Sequence, residues 1–269
     1  MHPFIDLKVP DGTVAIHWFE QSSFALKGAG DTIVLVDPYS PHDRPSRFLH
    51  PEPPIDEAAW RADVVLLTHN HGDHTHTATL ERLQRHSPQA RYIGPAHSVV
   101  ALGHETDIPA AQCAVVTAGE TETHADVEVS AVFSKPPFGD PVAGIPPADT
   151  EHLGFVVDLG DVRVYVSGDP IYNFADNDAL TSAVADLAPH IGLLTCHPSE
   201  GEFPFFDGCA RLASKVGLAV AVPAHYECFR DRNYDPAAWQ EALANNDGPA
   251  THVIARQGHA LFDANGPTA

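Results

Sequence analysis

The chain has 269 residues, 43% hydrophobic and 19% charged, which fits a folded soluble unit with a substantial core and excludes a disordered or fibrous chain. Fifteen Lys and Arg stand against 36 Asp and Glu; the formal net charge of −21 disfavours nucleic acid and anionic membranes as partners and suits a small-molecule substrate. No apolar run approaches the ~20 residues of a membrane span, "MHPFIDLKVP" lacks the basic-then-apolar order of a signal peptide, and Cys113, Cys196, Cys209 and Cys228 show no CxxC spacing. A cytoplasmic protein with free thiols is therefore expected.

Short apolar runs set the plan in chain order. "TVAIHWF", "SFALKG" and "TIVLVD" read as strands, the last two joined by a hairpin at "KGAGD". A proline-rich stretch, 37–60, precedes the strand "DVVLLT"; helix 77–86, strand "RYIG" and helix 98–103 follow. "AVVTAG" and "VEVSAVF" lead to a second proline-rich stretch, 134–152, then to the hairpin of "GFVVDL" and "VRVYVSGD" around Gly160 and Asp161. Helices at 178–188, 206–216 and 236–244 alternate with "IGLLTC", "LAVAVPAH", "THVIARQ" and "HALFD". The pattern predicts a single α/β domain over 1–269, with two sets of strands between outer helices and the proline-rich loops as lids. Nothing in it selects between a monomer and a homo-oligomer.

Directly behind "DVVLL" comes "THNHGDHTH". His69, His71, Asp73 and His74 follow a buried strand, so their loop is anchored at one end in the core. Imidazole and carboxylate together suit zinc or manganese ahead of iron, and the HxHxDH spacing lets alternate side chains converge on one cavity. His76, at the start of the next helix, is expected outside the ligand set, and His97 in "GPAHS" is expected to be structural.

These residues resemble the signature of the metallo-β-lactamase superfamily, and "VDPY", "VYVSGDP" and "VAVPAH" extend the likeness over most of the chain. Within it, "RYIGPAHSVVALG", "GFVVDLGDVRVYVSGDPIYN" and "VPAHYECF" look most like the L-ascorbate-6-phosphate lactonase branch. The resemblance implies a four-layer αββα sandwich and a centre for one or two divalent ions. His69 and His71 would bind the first ion, Asp73, His74 and His225 would face a second, Asp169 would bridge them, and Asp37 would orient a ligand histidine. One departure stands out: where the superfamily usually supplies a third histidine to the first ion, "VSAVFSKPPFG" offers Ser134 and Lys135, while His124 and His152 lie elsewhere in the pattern. One firmly held ion, with a second left open, is the resulting expectation.

Asp73 and Asp169 are the candidate catalytic carboxylates, placed to take the proton of an attacking water. Ser22, His197, Lys135, Arg230 and Arg232 are the candidate substrate contacts, the cations as anchors for phosphate or carboxylate. Three functions compete: a hydrolase of a small ester or lactone such as a sugar-acid lactone or its phosphate, a phosphodiesterase acting on a small nucleotide or lipid headgroup, and a non-hydrolytic metal-binding or redox sensor protein.

Overall fold

The computed structural model describes residues 1–141 and 144–268. Strands β1 (Val14–Glu20), β2 (Ser23–Lys27), β3 (Ile33–Val36), β4 (Val64–Leu66), β5 (Arg91–Gly94) and β6 (Cys113–Val115) occupy the N-terminal part. They are followed by β7 (Thr121–His124), β8 (Val127–Phe133), β9 (Leu153–Asp158), β10 (Arg163–Val166), β11 (Ile191–Thr195), β12 (Val220–Ala224), β13 (Ala250–Thr251), β14 (His259–Asp263) and β15 (Gly266–Pro267). Among the described residues they form two sheets, ordered β15-β14-β1-β2-β3-β4-β5-β6 and β13-β12-β11-β10-β9-β8-β7. Each sheet is mixed: β3 through β6 run parallel, as do β10 through β13, and the rest pair antiparallel.

The parallel strands are apolar along their length because both faces are covered, and β3, β4, β11 and β12 are buried throughout. Trp18, Phe24, Val36 and Leu66 from the first sheet meet Phe155, Tyr165 and Leu193 from the second in one core between the sheets. Helices α1 (Thr77–His86) and α2 (Ala96–Glu105) cover the outer face of the first sheet through Leu80, Leu83 and Leu102. Helices α3 (Asp178–Ala185), α4 (Phe206–Lys215) and α5 (Pro236–Asn245) bring Val184, Leu212 and Trp239 to the second. This is the αββα sandwich, with all five expected helices in place. No helix among the described residues is long and apolar enough to cross a membrane.

Two sequence readings need correction. Of "THVIARQ", only the first residue joins a strand, β13; from His252 onward the segment is irregular and returns the chain to the first sheet. Strand β7 was not expected, because "TETH" has no apolar alternation. It is a half-exposed edge paired only with β8, where polar side chains keep a sheet edge soluble.

The parallel strands position the site. Asp37 follows β3, the HxHxDH loop follows β4, Asp169 follows β10 and His225 follows β12. Functional groups gather beyond the carboxyl ends of such strands because the chain leaves the ladder there.

Candidate metal centre

Local backbone strain shapes the site. Asp37, Gln21 and His225 all have left-handed backbones, with φ of +40°, +54° and +65°. Non-glycine residues adopt this region at a cost and persist there only when their surroundings hold them. Gln21 and His225 hold each other: the His225 N–H donates to the Gln21 carbonyl at 3.0 Å, and the Gln21 N–H donates to the Tyr226 carbonyl at 3.1 Å. Gly168, in the "SGD" turn, has φ +57°, and a Cβ there would stand 2.4 Å from the Leu153 carbonyl oxygen. Only glycine lets this turn bring Asp169 against the first sheet.

Three groups of ligating atoms converge, each with its members within 4.8 Å of one another: His69, His71 and His152; His69, His74 and Asp169; and Asp73, His74 and His225. Asp169 spans them, with Oδ2 3.6 Å from His69 Nε2 and 3.4 Å from His74 Nε2, and Oδ1 3.7 Å from His225 Nε2. Asp73 Oδ2 lies 3.7 Å from His225 Nε2.

The sequence reading left the first group without a third histidine, and the structure corrects it. Strands β8 and β9 pair in a register that ends on Phe133 opposite Leu153. The next rung sets Ser134 beside His152, and the Ser134 N–H donates to the His152 carbonyl at 2.9 Å. The imidazole is thus brought 18 residues along the chain to the place where Ser134 stands in the sequence. The His152 ring stacks on His69 with centroids 4.1 Å apart. Ser134 itself is buried and donates to the Ser167 carbonyl. Burial, with Lys135 adding to it, lowers the His152 pKa to about 4, so the ring is a neutral donor at neutral pH.

Asp37 is fully buried, accepts from the Thr68 N–H at 2.8 Å and from the Thr68 hydroxyl at 2.6 Å, and faces His74 Nδ1 at 2.8 Å. That fixes the His74 ring and leaves its Nε2 toward the centre. Burial opposes a charge on His74, but Asp169, Asp37 and Asp73 outweigh it and hold its pKa well above the ordinary histidine value. Burial likewise opposes ionisation of Asp169, yet His74 and His225 keep its carboxyl well below the usual range. The centre therefore favours positive charge. Among the described residues, His74 Nε2 and Asp169 Oδ1 are both buried without a hydrogen-bond partner, which a cation bound between them would supply. A nitrogen and carboxylate set of this kind fits a divalent metal.

Other groups stand around it. Gln21 is buried, its Nε2 2.8 Å from Asp73 Oδ2 and 2.9 Å from His225 Nε2. The sequence reading missed Gln21, since only the bulge after Trp18 and the left-handed turn bring it inward. Ser22 is buried with an unpartnered hydroxyl. His197 is buried, and its Nδ1 accepts from the N–H groups of Ser199 and Glu200, at 3.3 and 3.0 Å. Burial, with the charges of His225 and Arg232 adding to it and against the pull of Glu200, lowers its pKa.

Two clefts open beside the centre. One, of about 530 Å³, is lined by Tyr39, Asp73, His76 and Arg232 among others. Arg232 pairs there with Glu200 at 3.3 Å. The other, of about 390 Å³, has walls of Lys135, Ile145, Pro146 and Asp149, and Lys135 pairs with Glu202 at 3.0 Å. Arg230 lines neither; its Nε donates to the Ser46 carbonyl at 2.8 Å. His76 is half-buried with Nδ1 2.7 Å from the Thr79 hydroxyl, and His97 Nδ1 lies 2.8 Å from the Thr150 hydroxyl; neither joins a ligand group.

Helices enclosing two mixed sheets, with the HxHxDH loop, Asp169 and His225 meeting at strand ends, define the metallo-β-lactamase fold. Residues 15–199 match the family described as the beta-lactamase superfamily domain, and the chain belongs to that superfamily. A UPF0173 metal-dependent hydrolase of Thermoplasma acidophilum is 29% identical over 242 residues, 89% of this chain and 93% of that one. Igni18, a metallo hydrolase of Ignicoccus hospitalis, superposes with a TM-score of 0.69 at 18% identity, over 93% of this chain and 99% of that one. CmlA, a diiron β-hydroxylase of Streptomyces venezuelae, does so with a TM-score of 0.64 at 16% identity, over 95% of this chain and 55% of that one. These two likenesses concern the fold.

Proposed function

We propose that the chain is a metal-dependent hydrolase that opens a small ester or lactone, with a sugar-acid lactone or its phosphate as the substrate class. The observation that carries the reading is the convergence of His69, His71, His152, Asp169, Asp73, His74 and His225 on one centre with a cleft on each side. The name of the Thermoplasma relative supports metal-dependent hydrolysis. The motif likeness to the L-ascorbate-6-phosphate lactonase branch supports the substrate class.

With His152 in place, the residues suit two ions, zinc or manganese: His69, His71 and His152 would hold one and Asp73, His74 and His225 the other, with Asp169 available to both. Such ions supply Lewis acidity and a water that ionises near neutral pH. The two carboxylates divide the remaining work. Asp169 is 3% exposed and lines neither cleft, so it holds the centre together. Asp73 lines the larger cleft, and His74 and His225, overcoming its burial, keep it ionised. It is the better proton acceptor for the attacking water and the donor to the leaving oxygen. Ser22 and His197, buried with unpartnered polar atoms, are the candidate contacts for substrate oxygens. The buried thiols of Cys196, Cys209 and Cys228 suit the cytoplasm expected from the sequence.

A panel of sugar lactones, their phosphates and a chromogenic phosphodiester, each assayed with and without a chelator, tests this. Chelator-sensitive lactone opening is expected. Turnover of the phosphodiester alone would replace this reading with the phosphodiesterase one.

A further inference from the structure

The cleft of about 530 Å³ beside Asp73 has on its wall, besides Arg232, a cation that the sequence reading did not single out, Arg47. Arg47, in the first proline-rich loop, lies over the rings of Phe48 and Phe229, its guanidinium carbon 5.2 and 5.8 Å from their centroids. Two backbone hydrogen bonds hold this platform: the Arg230 N–H donates to the Arg47 carbonyl and the Leu49 N–H to the Cys228 carbonyl, both at 2.9 Å. The loop that carries Arg47 is thereby tied to the turn that follows the ligand His225.

Among the described residues, the Arg47 guanidinium has no hydrogen bond and no ion pair. Arg163 is likewise unpaired, but of the two only Arg47 lines a cleft beside the centre. Across the same cleft Arg232 is already held by Glu200 and Glu202. The Tyr39 hydroxyl also makes no hydrogen bond among the described residues, and Tyr39 lines the cleft with its ring edge-on to His76, centroids 5.2 Å apart. A planar guanidinium pre-set on two aromatic rings, with a phenol donor in the same cleft, matches the two-oxygen face of a carboxylate or phosphate. Asp231 shares the lining, which favours a single anionic group over a polyanion.

We propose that Arg47, assisted by the Tyr39 hydroxyl, forms the subsite for one anionic group of the substrate, a carboxylate or a phosphate monoester remote from the bond that is cut. The remoteness of that group from the bond that is cut rests on the hydrolase reading; binding of the anion does not. Arg47 selects acidic over neutral substrates for a protein whose overall charge repels them.

Calorimetric titration of the metal-loaded protein with glucose 6-phosphate, glucuronate and neutral glucose tests this. The wild type should prefer at least one anionic sugar over glucose, and the arm that responds tells phosphate from carboxylate. Arg47→Gln should cut that preference by about 10- to 100-fold, the worth of a hydrogen-bonded charge pair. Arg47→Lys should retain part of it. Arg163→Gln, which removes an equal charge from β10 away from the cleft, should leave it as in the wild type. Equal binding of all three sugars by the wild type, or equal losses in Arg47→Gln and Arg163→Gln, would overturn the assignment. If the wild type opens no lactone, the lactonase reading fails and this comparison still decides the role of Arg47.

Discussion

Asp149 reaches into the centre from the second proline-rich loop and closes on His71: its Oδ2 lies 2.7 Å from His71 Nε2, while His71 Nδ1 faces His69 Nε2 at 3.1 Å. Its other oxygen lies 3.4 Å from His152 Nε2. The carboxylate itself is 70% exposed, and the hydrogen bond to His71, with the histidine charge beside it, holds its pKa below the usual range. A carboxylate on the far nitrogen of a ligating imidazole fixes the ring and makes it a better donor.

Asp149→Asn should therefore weaken metal binding at the His69, His71 and His152 group, by about 10- to 100-fold on the precedent of such outer partners. Because Asp149 is exposed, the fold should be unaffected. Competition with a chromogenic chelator reads the affinity directly, and an unchanged value would show that the contact leaves the metal untouched.

The HxHxDH residues are legible as a cluster of ligand-type side chains because they are contiguous and follow an apolar strand. Asp169 and His225 were readable because each ends such a strand. His152 was not, since its place depends on a cross-strand register that opposes Ser134 to a residue beyond an 18-residue excursion. Asp149 and Arg47 sit in proline-rich loops, whose composition announces irregular backbone and says nothing of where a side chain ends up. Lys135, Arg230 and Arg232 were singled out as cations near suggestive loops. Burial and pairing, invisible in the sequence, separate the occupied Arg232 and Lys135 and the outward Arg230 from the open Arg47.

His152→Ala should lower the metal content of the purified protein, losing the ion on the first group and leaving the one on Asp73, His74 and His225. Ser134→Ala should keep the metal content and cost stability instead, about 1–3 kcal/mol for a buried hydrogen bond lost to the Ser167 carbonyl. Elemental analysis with urea unfolding of both variants separates the two roles. Full metal content in His152→Ala would remove His152 from the centre.

His17, on β1, is fully buried, and neither ring nitrogen has a hydrogen-bond partner among the described residues. Its ring packs against His2, Phe4, Phe19 and Trp60, with centroids 4.7 to 5.6 Å away. Burial, with the charges of His2 and His259 adding to it, lowers its pKa to about 3 from an ordinary 6.5. Between those two values the unfolded chain takes up a proton that the folded chain refuses, so stability falls as pH drops from 6.5 towards 3. One such group contributes a slope of up to ~1.4 kcal/mol per pH unit. His17→Leu keeps the site apolar at similar volume and removes the proton. Urea unfolding at steps from pH 7 to pH 4 should give a shallower loss of stability for the variant than for the wild type. The metal-centre histidines titrate alike in both proteins, so the difference between the two curves isolates His17. Parallel curves would mean that His17 takes up its proton in the folded state as readily as in the unfolded one.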